Sequence, residues 1–252
     1  MSSATAATDA PRAAWRVADV RAVVPETPTA VTLLLEVPGW PGHRAGQHVD
    51  VRLTAEDGYQ AQRSYSIASA PEDAHLAVTV ERLDDGEVSP YLVDDVRMGD
   101  ELEVRGPIGG WFTWEVRQGG PLLLVAGGSG LAPLMAMVRH RRHAGSDAEI
   151  RVLVSAKTHE DLLYAAELDS ADAEEGVDVI RTYTRHAPDG WNGFARRVDR
   201  AMLEEVAWPP DARPRIFICG PTGFVEAVAN DLVALGHDPD RVRTERFGAT
   251  GG

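Results

Sequence analysis

Cysteine is nearly absent: Cys219 is the only one in 252 residues. That excludes an intramolecular disulfide, and also a CxxC-type zinc or iron–sulfur site within this sequence. Long apolar runs are missing as well, since no stretch approaches the ~20 residues a membrane helix needs. The opening segment, MSSATAATDAPRAAW, has neither a basic n-region nor an apolar h-region. It does not read as a signal peptide, and residues 1–13 are expected to be a disordered lead. Basic residues are outnumbered, 25 against 39 acidic, for a net charge of −14. That balance argues against nucleic acid or an anionic membrane as the main partner, while leaving room for a local basic patch. A cytoplasmic protein is the expectation that follows.

What is present is the composition of a soluble globular chain, 44% hydrophobic and 25% charged, long enough for two domains with separate cores. One stretch organises the rest, PLLLVAGGSGLAP from Pro121 to Pro133. Leu122 to Ala126 is an unbroken apolar run, the pattern of a parallel strand buried on both faces. Gly127-Gly128-Ser129-Gly130 follows, and Leu131 to His143 reads as a helix that stops at Gly145. Pro133 suits that helix's first turn, where a missing N–H costs nothing. A strand, a glycine turn and a helix N-terminus gather free N–H groups and positive dipole at one point, which suits a phosphate diester. The pattern departs from the usual Rossmann fingerprint, because proline stands where the third glycine would be. A tight βα turn without a ligand is the plain alternative.

Before this stretch the texture is β. Short segments at Trp15 to Val24, Val31 to Glu36, His48 to Leu53, Leu76 to Arg82 and Glu101 to Arg105 are separated by Gly, Pro and Asp clusters. With Arg63 to Ser66 they make about six antiparallel strands and suggest a closed or nearly closed barrel over residues 14–117. In Arg63-Ser64-Tyr65-Ser66, alternation sends Arg63 and Tyr65 to one side and Ser64 and Ser66 to the other. One strand then offers a cation, a stacking face and hydroxyls to an extended ligand; an ordinary exposed strand is the alternative. Gly86-Glu87-Val88-Ser89 leads into a short helix and suits either a second phosphate or a simple N-cap at Ser89. Gly46-Gln47 and the run Arg105 to Phe112 also stand out. In the latter, Trp111 and Phe112 are expected to pack an interdomain seam.

After Gln118-Gly119-Gly120, strands and helices alternate. Strands are expected at Leu122 to Ala126, Ile150 to Val154, Val177 to Tyr183, Ile216 to Cys219 and Val242 to Glu245. Helices are expected at Leu131 to His143, Asp161 to Leu168, Ala201 to Val206 and Gly223 to Leu235. This rhythm predicts a Rossmann-like open parallel sheet over residues 121–252, with ligands at its carboxyl edge. That edge carries Gly127 to Gly130, Ser155-Ala156-Lys157, Thr184-Arg185 and Cys219-Gly220-Pro221. A carboxylate after the second strand would suit the ribose 2′-OH of NADH. Lys157, Arg185 and the Arg196-Arg197 pair suit a 2′-phosphate instead, which favours NADPH over NADH unless they are simply solvated charges. His140 and His143, among Arg139, Arg141 and Arg142, read as a basic helix end and not as metal ligands. No metal site is expected, and no serine sits in a nucleophile elbow. Cys219 reads as a small buried residue.

Taken together, Arg63 to Ser66, Gly86 to Ser89, Gly127 to Gly130 with Pro133, Cys219 to Pro221 and Glu245-Arg246-Phe247-Gly248 resemble the ferredoxin–NADP reductase superfamily in order and spacing. The resemblance covers residues 14 to 248. It implies a flavin-binding antiparallel barrel followed by an NAD(P)-binding domain, with FAD, less readily FMN, meeting the nicotinamide between them. By resemblance, Arg63 pairs with a flavin phosphate, Tyr65 packs on the flavin, and Ser66 bonds near its N5. Val80, Glu81 and Arg82 lie along the flavin, and Gly86, Val88 and Ser89 hold its pyrophosphate. Gly128, Ser129, Gly130, Pro133, Cys219, Gly220 and Pro221 receive the pyridine nucleotide, while Glu245 and Phe247 border the reacting centre. Ser66, Cys219 and Glu245 are the implied catalytic residues. With no iron–sulfur ligands here, the implied electron acceptor is a separate ferredoxin or flavodoxin, a small molecule, or a partner subunit. Plant-type relatives end in an aromatic residue on the flavin, whereas this chain continues from Ala249 to Gly252.

Overall fold

A computed structural model of the chain describes residues 14–247. The expected lead at 1–13 and the tail from Gly248 to Gly252 lie outside the described residues.

The first sheet contains β1 (Trp15–Thr27), β2 (Ala30–Glu36), β3 (His48–Thr54), β4 (Gln60–Ser66), β5 (Leu76–Glu81) and β6 (Glu101–Ile108). Their order is β4-β3-β6-β1-β2-β5, all antiparallel. A bridge from Ile67 to Val78 joins the two edge strands and closes the barrel. Its interior is built from alternate residues, among them Leu33 and Leu35 of β2, Val49 and Val51 of β3, and Val78 and Val80 of β5. The short helix α1 (Ser89–Asp94) plugs one opening with Leu92. β1 runs past Pro25 to Thr27, further than the sequence suggests. Its pairing with β6 ends at Asp19, so Pro25 sits where only β2 adjoins and its missing N–H costs little.

The second sheet is parallel, in the order β11-β10-β7-β8-β9. Its strands are β7 (Leu122–Gly127), β8 (Ile150–Ala156), β9 (Val177–Tyr183), β10 (Arg215–Pro221) and β11 (Val242–Phe247). Every residue of β7 is buried because both faces are covered. Leu122, Leu124 and Ala126 face α2 (Leu131–His143) and α3 (Ala165–Asp172). Leu123 and Val125 face α4 (Arg200–Val206) and α5 (Thr222–Ala234). Chain order reverses between β7 and β10, which places the ligand crevice outside the carboxyl ends of these two strands. α3 begins four residues later than expected. Asp161 accepts from the N–H and hydroxyl of Thr158 instead of opening a helix, and Tyr164 then takes a left-handed backbone, φ 54°.

The two sheets share an apolar core that runs without a break from Ala68 and Trp114 to Leu134 and Phe217. Phe112 meets Phe217 edge-on with centroids 5.4 Å apart. α2 lies between the sheet and the barrel and is buried nearly all round, which is why its apolar residues show no single stripe. Its end is pinned to the barrel by Arg139 to the carbonyl of Ala68 (2.7 Å), His140 to Glu72 (2.8 Å) and His143 to Asp73 (2.9 Å). Trp111 packs the seam from its rim: the residue is 62% exposed, its ring lies under the Arg243 guanidinium with 5.2 Å to the centroid, and its carbonyl accepts from Arg243 at 3.0 Å.

Candidate functional site

The crevice is walled by the ends of β4 and β5 on one side and of β7, β10 and β11 on the other. Ser66 on β4 is in register with His48 on β3. His48 Nδ1 lies 3.7 Å from Glu245 Oε1 on β11. Glu245 is in register with Cys219 on β10. The Cys219 carbonyl abuts Gly130, where a Cβ would stand 2.2 Å from that oxygen. Two residues back, Gly128 faces the barrel again, with Glu81 Oε2 3.9 Å from the point its Cβ would occupy. Barrel strand, nucleotide turn and terminal strand thus surround one space.

Gly128 has φ 55°, a left-handed turn that glycine adopts without strain, and Gly130 is required by the close peptide at Cys219 and Gly220. Ser129 lies in the same turn, and Pro133 is buried in the first turn of α2. Gly220 lets Phe224 approach within 2.8 Å of its Cβ position. Pro221 is exposed beside Phe247, its partner in register, which is 39% exposed.

Burial sets the electrostatics. Among the described residues, Glu245 Oε2 is the one buried side-chain polar atom without a hydrogen-bond partner. Loss of water raises the Glu245 pKa to about 7. Burial, and then the nearby Glu245, push the Cys219 thiol well up, so it is a thiol and not a thiolate. Burial lowers the His48 pKa, with Asp50 opposing. Burial raises the Tyr65 phenol, with Arg63 opposing.

On the barrel side, Arg63 reaches Glu87 at 2.7 Å, and the Tyr59 hydroxyl donates to the same carboxylate at 2.7 Å. Ser64 turns to the opposite face and donates to Asp50 at 2.6 Å, which also holds Arg105. Val80 and Val88 have fully buried side chains, so only their backbones are open to a ligand. Arg82 is bound to Asp94 (2.8 Å) and Asp84. Gly86 packs on Ser89, whose hydroxyl accepts from Leu83 N–H at 3.0 Å. That bond closes a turn and is not an N-cap; the cap position is Val88. Lys157, Arg185 and Arg197 are exposed in the segments that follow β8 and β9. The Lys157 carbonyl ties these segments together by accepting from Arg185 N–H at 2.9 Å. Gly46 and Gln47 prove structural: the backbone of Phe112 crowds Gly46, and Gln47 donates to the Gly109 carbonyl at 2.6 Å.

His48 and Tyr59 escape the sequence reading, and Glu87 enters it only as one residue of Gly86 to Ser89. A histidine on β3 and a tyrosine just before β4 give no local pattern, although His48 directly follows the conspicuous Gly46-Gln47.

The residues present suit a flavin. A half-buried tyrosine lines one wall, backbone N–H groups line the rim, and the orphaned carboxylate oxygen of Glu245 awaits a polar partner. Comparison with known proteins agrees. Residues 32–113 match the oxidoreductase FAD-binding domain family and residues 124–230 the oxidoreductase NAD-binding domain family. The chain therefore carries an oxidoreductase FAD-binding domain and an oxidoreductase NAD-binding domain, in the ferredoxin–NADP reductase-like arrangement of its structural neighbours. It is 33% identical over 212 residues to the glycine betaine monooxygenase reductase subunit of Chromohalobacter salexigens, covering 82% of this chain and 56% of that one. The chain therefore spans about half the length of the curated relatives it matches. Among solved structures, the flavohem-like FAD/NAD-binding domain of Vibrio cholerae nitric oxide dioxygenase superposes with a TM-score of 0.82 at 25% identity, over 92% of this chain and 98% of that one. A ferredoxin NADP+ reductase from Neisseria gonorrhoeae, solved with FAD and NADP, shares the fold with a TM-score of 0.79 at 19% identity, over 93% and 98%. No helix among the described residues is long and apolar enough to cross a membrane.

Proposed function

We propose that the chain takes a hydride from NADPH onto FAD held by the barrel and delivers the electrons to a separate acceptor. Residues 14–117 form the flavin domain and 121–252 the nucleotide domain. The observation that supports this reading is the continuous path Ser66–His48–Glu245–Cys219–Gly130, which brings β4 of the barrel and the glycine turn after β7 to one space.

When bound, FAD accepts two electrons as hydride and releases them singly. The chain supplies approach and electrostatics. Arg63 and the backbones of Gly86 to Ser89 take the flavin phosphates, so Arg63 exchanges its Glu87 partner for the ligand. Tyr65 and the backbones of Val80 to Arg82 lie against the ring, and Ser66 bonds beside the position that receives hydride. Gly128 to Gly130 and Cys219 to Pro221 seat the nucleotide. Phe247 closes the space from the terminal strand. Glu245, poised by its raised pKa between protonated and ionised forms near neutral pH, would offer its ionised carboxylate beside the nicotinamide ring. The protonated Cys219 adds no competing charge.

NADPH is the preferred reductant in this reading. Lys157, the chain's only lysine, would stand with Arg185 and Arg197 at the ribose end, while the nearby Asp161 accepts from the Thr158 hydroxyl. The acceptor is a protein of ferredoxin or flavodoxin type or an oxygenase component, in keeping with the related monooxygenase reductase subunit. Free flavin, ferric chelate or quinone is the alternative. Anaerobic titration of FAD-loaded protein with NADPH and then NADH tests the reading: loss of the oxidised flavin spectrum at one equivalent is expected. A flavin that binds and stays oxidised contradicts it.

A further inference from the structure

The hydroxyl of Tyr164 has no place in the reading above, yet it lies in the middle of the seam. Tyr164 is 4% exposed, and its hydroxyl is bonded to Thr79 Oγ1 on β5. Thr79 continues to Thr32 Oγ1 at 2.7 Å, and Thr32 donates to Glu26 Oε1 at 2.6 Å. Arg139 stacks 5.0 Å from the Tyr164 ring centroid while its guanidinium also holds the Ala68 carbonyl of the barrel. A purely apolar seam would use phenylalanine here, because a buried hydroxyl is costly unless bonded. The backbone is equally committed: φ 54° and ψ 32° form a left-handed state that a tyrosine rarely adopts, and it aims the side chain from the start of α3 at the barrel.

Thr79 and Glu81 lie on the same face of β5, one pleat repeat apart. Glu81 is the residue facing Gly128 across the crevice. The Tyr164 bond and the nucleotide turn therefore touch the same face of the same strand. A slip of β5 along the seam moves both.

We propose that Tyr164 is a positioning residue whose bond to Thr79 sets the spacing between the flavin strand and the nucleotide turn, and through it the separation of the two reacting rings. The proposal rests on the hydride-transfer reading. Misplacement of reacting groups by about 1 Å costs as much as a hundredfold in rate.

The test uses FAD-loaded protein and the variants Tyr164→Phe, Thr79→Val and Thr79→Ser. Tyr164→Phe and Thr79→Val are expected to slow flavin reduction at saturating NADPH about tenfold or more. The long-wavelength charge-transfer absorbance of stacked flavin and nicotinamide weakens with it, while FAD affinity stays within about twofold. Thr79→Ser keeps a hydroxyl and is expected to reduce at nearly the wild-type rate. Wild-type rates and a full charge-transfer band in Tyr164→Phe overturn the proposal. So does a fall in melting temperature alone, or a Thr79→Ser variant as slow as Thr79→Val. Should Tyr164→Phe fail to fold, the two Thr79 variants decide from the barrel side. A wild-type flavin that NADPH does not reduce sinks the hydride-transfer reading instead.

Discussion

Between its unfolded and folded pKa values, Glu245 holds a proton in the folded chain that it loses on unfolding. Burial raises its pKa from 4.5 to about 7, so the associated stability is complete below the unfolded value and disappears as pH rises through 7. Glu245→Gln removes this dependence. Relative to wild type, the variant is expected to gain on the order of 2–3 kcal/mol between about pH 5 and pH 8, read from denaturant melts of the flavin-free chain. A difference that stays flat with pH contradicts the assignment. His48 works in the opposite sense: its lowered pKa gives stability present above the unfolded value and lost as pH falls through the folded one. The comparison with the variant, not the wild-type curve, is therefore the quantity to read. Ser66 makes a separate prediction. Ser66→Ala should slow flavin reduction about tenfold or more while leaving FAD affinity nearly unchanged. Stopped-flow reduction at the wild-type rate would remove Ser66 from the mechanism.

The strand-turn-helix unit β7–α2 was readable because its constraints are local. An apolar run with no alternation means two covered faces, and Gly128 and Gly130 answer a left-handed turn and a crowded peptide. Gly130→Ala places a methyl 2.2 Å from the Cys219 carbonyl. It is expected to destabilise the chain by about 1–3 kcal/mol and to weaken nucleotide binding more than FAD binding. Paired denaturant melts and binding titrations check this, and unchanged values for both would contradict it. Elements whose ends depend on side-chain competition were less legible. Asp161 resembles a helix start but turns back to Thr158, so α3 begins late. Ser89 resembles an N-cap but serves Leu83. Contacts between distant segments left no mark at all: nothing near Thr79 announces Tyr164, 85 residues away, and nothing near His48 announces Glu245.

At the scale of the whole molecule, two units with their own sheets share one core, which holds the ends of β4 and β5 against those of β7, β10 and β11. Within a charge of −14, Lys157 and Arg185 are exposed together at the carboxyl edge of β8 and β9, joined by a backbone bond of 2.9 Å. Lys157→Glu should raise KM for NADPH about tenfold and leave KM for NADH within about twofold. Equal effects on both would assign Lys157 to the solvated surface. Turnover with a protein acceptor should fall as salt rises, whereas a small-molecule acceptor leaves it flat. On the proposed function, the barrel's flavin and the sheet's nucleotide meet face to face, so hydride passes directly between them. Anaerobic stopped-flow reduction with nucleotide deuterated at nicotinamide C4 tests this most directly. Flavin reduction is predicted to slow by a primary isotope effect with the label on the transferring face. A rate insensitive to label on either face, with the flavin still fully reduced, would contradict it.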